Sequence, residues 1–331
     1  MVFEPDRASA LGAITARFAS HPGLRAKAAL RMIPGILGPT DWVEGPGDDA
    51  AAIPDAGGYL LAAAEAILPP FVEADPFGAG VAAVVANVND IAAMGGRVLA
   101  LADTVVGPEA SLAEVLRGMR SACDLYGTRL VGGHLGVRDG PPQVSAFALG
   151  RAARLLSSRN VEAGQALLAA FCLQGCLRED FPFFSSVAER GGELAGDVEV
   201  LPSLAESGHC AAAKDVSMAG TLGSLAMLLE ATGAGAVVDL EAIPRPAGAG
   251  LDPWLFAFPT YGFLLAAPPG EAGACRQEFR SRGLACEVIG AVEPTGRLRV
   301  RLGGGEAVLL DLGAAAVTGL GGAPGPERPA G

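Results

Sequence analysis

The chain is short of most of what marks a nucleic-acid, membrane or zinc-finger protein. Its 24 Lys plus Arg stand against 36 Asp plus Glu, a formal charge of −12, and no basic cluster is present to hold a polyanion, so nucleic acid is not an expected partner. No uncharged run suits a bilayer either. The longest of interest, 253–270, is interrupted by Pro253, Pro259, Pro268 and Pro269, and no polybasic segment offers a surface anchor, so no membrane partner is expected. Glu4, Asp6 and Arg7 stand where a signal peptide has a basic and then an apolar region, which makes the cytoplasm the expected compartment. The six cysteines, Cys123, Cys172, Cys176, Cys210, Cys275 and Cys286, include no C-x-x-C pair, and only His21, His134 and His209 stand beside them. A structural zinc site is therefore not expected, and the thiols read as small buried hydrophobes in a reducing compartment. A G-x-x-x-x-G-K-[ST] run is missing, which excludes a P-loop. Lysine is scarce too: Lys27 and Lys214 are the two in the chain. Either they are chance survivors of a drift toward arginine, or they persist where a compact ammonium beside a phosphate has no substitute.

What is present is enough for two cores. Half of the 331 residues are hydrophobic and 18% are charged, and the length exceeds that of a usual single domain. Helices are expected at 8–19 and 24–33, then a Pro/Gly-rich loop to Gly47, then two apolar runs, 50–53 and 59–66, joined as a hairpin by Asp55-Ala56-Gly57-Gly58. A long helix over 75–94 follows, with Asp75 as N-cap, Pro76 in the first turn and Gly95-Gly96 as the stop. Strand 98–106, helix 109–126 and strands 129–131 and 144–152 complete one α/β unit. A second unit carries strand 166–171, a helix near 184–190, a loop at 214–220, helix 221–231, strands 236–240 and 262–267, helix 271–282 and strand 285–292. The expected fold class is α/β (α+β) with domains 1–155 and 156–320 and a disordered Gly/Pro-rich tail, 321–331.

Four acidic features stand out. The Ala/Val-rich helix over 75–94 sets Asn87, Asp90 and Met94 on one stripe, and a carboxylate there is costly unless it is paired, hydrogen-bonded or on a metal; capping of a neighbouring loop is the plain alternative. Asp48 and Asp49 are adjacent at the mouth of an apolar strand, where like charges repel unless a cation neutralises them. Such hard oxygen ligands suit magnesium, which takes one or two carboxylates and completes its shell with water and phosphate oxygens, though a solvated acidic loop reads the same way. Glu65 is a lone charge in a small-residue strand, either at the strand's ligand-binding exit or on an exposed edge. Lys214-Asp215-Val216-Ser217 leads through a small-residue loop into a helix N-terminus, a place where N–H groups and the helix dipole suit phosphate. Gly78-Ala79-Gly80-Val81-Ala82-Ala83 with Asp103 mimics a dinucleotide motif, but those glycines lie inside the expected helix and Pro69-Pro70 interrupts the strand that should precede them.

Taken together, these segments resemble the AIR synthetase (PurM-like) superfamily, which includes thiamine-monophosphate kinase, selenophosphate synthetase and the hydrogenase-maturation carbamoyl dehydratase, and most nearly its AIR synthase-related group. Gly47-Asp48-Asp49-Ala50-Ala51 looks like the family's Gly-Asp-Asp-Ala-Ala signature. The ten residues from Asn87 to Gly96 match its asparagine, aspartate and Ala-Met-Gly, and Gly132-Gly133-His134 and Asp215-Val216-Ser217 follow in order. The resemblance spans roughly 45–295.

It implies a homodimer joined through the N-terminal domain, with Mg2+ and ATP as cofactors. Asp48, Asp49 and Asp90 would hold magnesium and phosphates with Asn87, Gly132 and Gly133 close by, Asp215 would reach the same site from the second domain, and Glu65 would be a further ligand. Kinase relatives carry acids where His134 and Met218 stand, so fewer magnesium ions or a different acceptor is implied. The leading expectation is an ATP-dependent enzyme that activates a carbonyl or amide oxygen of a small-molecule substrate, in nitrogenous heterocycle biosynthesis, with Lys214 offsetting charge and His134 moving a proton. The alternatives are a non-catalytic nucleotide-binding partner of a biosynthetic complex and a thiamine-monophosphate-kinase-like kinase.

Overall fold

The computed structural model describes residues 7–38, 45–179 and 181–321. Apart from Gly321, the expected tail lies outside them, as do Glu4, Asp6 and the middle of the Pro/Gly loop. The described chain forms two compact units. The first comprises residues 49–155 and 187–206, and the second the described residues outside those ranges.

The first unit is built on β1 (Ala51–Asp55), β2 (Gly58–Ala66), β3 (Arg97–Gly107), β4 (Leu130–Val137) and β5 (Gln143–Ala152), in the sheet order β1-β2-β5-β3-β4. Neighbours are antiparallel except β3 and β4, which run parallel. Helices Pro76–Ala93 and Glu109–Tyr126 supply the other half of its core. Asp75 caps the first of them by accepting from Gly78 N at 2.8 Å, Pro76 opens it, and Gly95 lies beyond its end at φ 78°. Glu109–Tyr126 buries Leu112, Val115, Met119, Ala122, Cys123 and Tyr126, the spacing of one helical face. The two helices cross at a pair of glycines: a Cβ on Gly80 would sit 2.0 Å from Val115 O, and one on Gly118 would sit 2.0 Å from Phe77 O. Gly80, half of the dinucleotide look-alike, is thus a packing residue. Pro76–Ala93 is long and apolar enough to cross a membrane by length and composition, but 67% of it is buried inside the protein.

The second unit contains β6 (Ala166–Phe171), β7 (Cys176–Leu177), β8 (Phe183–Ser185), β9 (Ala212–Asp215), β10 (Gly235–Asp239), β11 (Phe258–Pro259), β12 (Gly262–Ala267), β13 (Ala285–Glu293), β14 (Arg297–Leu302) and β15 (Gly305–Asp311). Seven of these form a sheet ordered β15-β14-β10-β13-β6-β12-β9, and β11-β8-β7 make a small separate one. Every residue of helix Gly220–Glu230 is buried. That helix starts at a residue with φ 71°, where a Cβ would meet Leu255 O at 2.3 Å, so only glycine fits. At its other end Glu230 accepts from Val317 N (2.9 Å), Thr318 N (2.9 Å), Thr318 Oγ1 (2.7 Å) and Gly319 N (3.1 Å). One buried carboxylate thereby fixes the last described segment, its charge matched by four donors.

The boundaries expected from sequence change in four places. Helix Arg7–Ser20 packs with the second unit, because Leu11, Ile14 and Phe18 repeat at helical spacing and join that core. Residues 187–206 return to the first unit: Leu194 enters its core, and Arg190 pairs with Asp197 through two buried bonds of 2.8 and 2.7 Å. The helix expected near 184–190 is instead β8 followed by a short helix, Val187–Arg190, and the loop expected at 214–220 begins as the last residues of β9.

Candidate nucleotide and metal site

The first unit gathers acids on the helix-covered side of its sheet. Along β5, Val144, Ala146, Ala148 and Ala152 are buried while Gln143, Phe147 and Arg151 are exposed, the alternation of a sheet covered on one side. Ala146 pairs with Glu65 of β2 on one flank and with Asp103 of β3 on the other, and Asp103 pairs in turn with Gly133 of β4. Cross-strand partners share a face, so Glu65, Ala146, Asp103 and Gly133 form one row. Ala and Gly are the residues that leave room there: a Cβ on Gly133 would fall 1.7 Å from Asp103 Oδ1 and 2.4 Å from Asp103 O. Burial pushes the Asp103 carboxyl above the usual carboxylate range.

Helix Pro76–Ala93 comes down onto this row. Asn87 Nδ2 donates to Ala83 O (2.9 Å) and to Ala146 O (3.3 Å), tying the helix to the row's central residue. Asn87 is fully buried and its Oδ1 has no hydrogen-bond partner. One turn on, Asp90 is 6% exposed, and a carboxylate oxygen of Asp90 lies within 4.8 Å of one from Asp49, just ahead of β1. Two hard oxygen donors at this spacing, beside an unused amide oxygen, match the donor set that magnesium takes from protein.

Other residues singled out in the sequence are placed differently. Asp48 Oδ2 accepts from Ser157 Oγ (3.0 Å) and Ser158 N (2.8 Å), so it secures the start of the short helix Ser158–Asn160 in the second unit. The two adjacent acids therefore have distinct surroundings. Gly132 pairs with Ala102, and His134 with Thr104, which puts His134 on the sheet face opposite Asp103, exposed to solvent. Lys214 and Asp215 are both buried on the edge strand β9, with Lys214 Nζ 3.8 Å from Asp215 Oδ1. Met218, where kinases carry an acid, is a packing residue: its Cγ would meet a Cβ on Gly23 at 2.7 Å. Asp103 is the residue sequence reasoning passed over. It was legible on the same ground as Glu65, a lone acid in a small apolar strand, but drew notice only as part of the dinucleotide look-alike.

Solved structures with this fold include two nucleotide complexes. T. maritima PurL complexed with ADP superposes with a TM-score of 0.70 at 20% identity, over 87% of this chain and 49% of that one, so the chain spans about half of PurL. AaThiL complexed with AMPPCP and TMP superposes with a TM-score of 0.64 at 18% identity, over 82% of this chain and 92% of that one. At these identities both comparisons speak to the fold. In sequence, an uncharacterized protein of Synechocystis sp. is 38% identical over 277 residues, covering 83% of this chain and 86% of that protein. The N-terminal and C-terminal domain models of AIR synthase related proteins match residues 47–152 and 185–303, and the chain belongs to that family.

Proposed function

We propose that this chain is an ATP- and magnesium-dependent enzyme that activates a carbonyl or amide oxygen of a small metabolite. In support, T. maritima PurL and AaThiL, which share the fold, have been solved with ATP and with AMPPCP. The observation that carries the reading is the pair Asp49 and Asp90, within 4.8 Å of each other, next to a buried Asn87 with an unused acceptor. Asp49 and Asp90 would hold magnesium, with Glu65 and Asp103 flanking. When bound, the ion would neutralise phosphate charge and hold the transferring group in line.

The protein's own side chains have separate tasks in this reading. Asn87 orients a ligand polar group with its free oxygen. Gly133 keeps the Asp103 carboxylate in place by leaving it space, and the absence of side-chain bulk at Gly132 lets a phosphate approach backbone. Asp48 contributes through its Oδ1, with Oδ2 held by Ser157 and Ser158. Lys214 offsets charge that develops on transfer, His134 moves a proton, and Asp215 belongs to the same chemistry. In this reading the active form is a homodimer in the cytoplasm, its interface the open face of the first unit's sheet, where Phe147 is 41% exposed.

The reading is tested by titrating ATP calorimetrically with and without magnesium, on the wild type and on Asp90→Ala. Magnesium-dependent binding that disappears in the variant supports the site, and a wild type that binds no ATP overturns it. A second reading, a non-catalytic nucleotide-binding partner, draws support from Met218 packing on Gly23 and from His134 facing away from the acid row within its own chain. ATP turnover stimulated by a substrate separates the two.

A further inference from the structure

The N-terminal part of the second unit is fastened at its start and lightly held thereafter. Helix Arg7–Ser20 is anchored in the core by Leu11, Ile14 and Phe18, whereas among residues 21–37, a run of short helices, Gly23 alone is buried. A stretch that buries so little opens at low cost, so each polar contact that holds it counts. The contacts it makes are specific. A Cβ on Gly23 would meet Met218 Cγ at 2.7 Å, and one on Gly223 would meet Leu24 Cδ2 at 3.4 Å. The short helix Pro22–Lys27 therefore rests on the turn that follows β9 and on the start of helix Gly220–Glu230. Further along, Arg31 lies against Gly319, where an added Cβ would meet Arg31 Cβ at 2.8 Å.

The residue that caps Pro22–Lys27 is a histidine rather than the usual Ser, Thr, Asp or Asn. Gly23 N donates to His21 Nδ1 at 3.1 Å. A ring nitrogen that accepts carries no proton, so the neutral ring bears its hydrogen on Nε2. The ring lies flat on Phe256, with centroids 5.5 Å apart and an interplanar angle of 8°, and the Arg17 guanidinium stands 4.4 Å from the centroid of the same phenyl ring. Phe256 in turn backs the helix start, where a Cβ on Gly220 would fall 2.4 Å from Phe256 Cα. The charged groups around His21 are Arg17, its ion-pair partner Asp252, and Arg25 and Lys27 of the short helix; Met218, Leu24 and Phe256 add none. Burial, and after it Arg17, hold the ring's pKa below its ordinary value.

We propose that His21 is a proton-sensitive latch: neutral, it holds residues 21–32 down on the Met218 turn and on Phe256; protonated, it releases them. A protonated Nδ1 is a donor and can no longer cap Gly23 N, and the new cation shares the Phe256 ring with Arg17. The docked segment thus disfavours the proton. Its hold is complete above about pH 6.5, the ordinary histidine value, and is lost as pH falls below it. The turn it covers follows Lys214 and Asp215 directly, so acid would loosen the stretch beside them.

The test follows hydrogen–deuterium exchange of the full chain by mass spectrometry between about pH 7.5 and 5, each rate corrected for the intrinsic rate at that pH. Protection of peptides within 21–32 should fall below about pH 6.5 by up to about tenfold per pH unit, the most that one coupled proton allows, while helix Glu109–Tyr126 of the first unit keeps its own. His21→Asn, whose side-chain oxygen can still accept from Gly23 N but does not titrate, should hold the protection flat. The imidazole signal of His21, one of three histidines, should titrate in step with the loss. The proposal is overturned if wild-type protection stays flat, if it is lost throughout the chain at once, or if His21→Asn loses it as the wild type does. Where the variant docks poorly even at neutral pH, the imidazole titration decides, and a midpoint out of step with exchange sinks the latch. No nucleotide is needed, so the outcome is independent of the ATP reading.

Discussion

The two large sheets of this protein carry opposite kinds of sequence. In the second unit, all of β12 and all but the first residue of β6 are buried, and the strands read as unbroken apolar runs, Leu167-Leu168-Ala169-Ala170-Phe171 and Phe263-Leu264-Leu265-Ala266-Ala267. In the first unit, β2 and β5 are built from alanine, alternate in burial, and carry Glu65 and face Asp103. Strands sealed on both faces, as β6 and β12 are, gain stability from every large side chain, roughly 1.5–3 kcal/mol for each one buried, and leave a charge to the edge strand β9. A sheet of small residues gives up part of that gain and acquires space in which carboxylates can stand side by side. Stability and chemistry are divided between the units accordingly.

The sharpest way to break this contrast is to cut into the sealed sheet. Leu168→Ala should destabilise the protein by about 2–5 kcal/mol, read from denaturant unfolding, while the molecules that remain folded keep their ATP affinity. The converse is Asp90→Ala, which should leave the unfolding midpoint nearly unchanged yet weaken magnesium-dependent ATP binding on the order of 100-fold, about 2.7 kcal/mol. If both losses appeared in one variant, the division would not hold.

How far the contrast could be read from sequence differs between the units as well. Helix Pro76–Ala93 was legible because its N-cap, proline and terminal glycines all agree, and Asp90 stood out because a charge among alanines needs a reason. Strand β6 was legible from its apolar run. Strand β9 was not: Ala212-Ala213-Lys214-Asp215 is too short and too polar to read as a strand, and it is held by pairing with β12. The Arg- and Glu-rich β14 and β15 were missed because their exposed faces carry ion pairs such as Arg301–Glu306 (2.7 Å) rather than apolar alternation. The acid row was hidden for a different reason. Glu65 and Asp103 come together only through the register of β2, β5 and β3, which nothing in one sequence states. For the same reason, helix Arg7–Ser20 gave no sign of which core it would join.

A finer test of the small-residue sheet is Gly133→Ala. The added methyl must displace both the Asp103 carboxylate and its backbone oxygen, so magnesium-dependent ATP affinity should fall by about tenfold, about 1.4 kcal/mol, with circular dichroism unchanged. Gly132→Ala meets no protein atom within 4 Å of its added Cβ, so a loss of affinity there would report a phosphate at the backbone rather than a displaced side chain. The smallest effect on folding is expected from Phe147→Arg on the open face. It should shift light-scattering mass from dimer to monomer without altering the melting temperature of the monomer; a wild type that is already monomeric removes the dimer from the proposed function.

The four donors gathered on Glu230 have a practical consequence for anyone trimming this protein. A truncation after Leu320 keeps every one of them, whereas a stop codon ahead of Val317 removes all four at once from a carboxylate that is only 7% exposed in the intact chain. The usable C-terminal boundary for shortened expression clones is therefore set by a side chain nearly ninety positions upstream, and a screen of nested deletions should show soluble yield collapsing across the narrow window from 316 to 319.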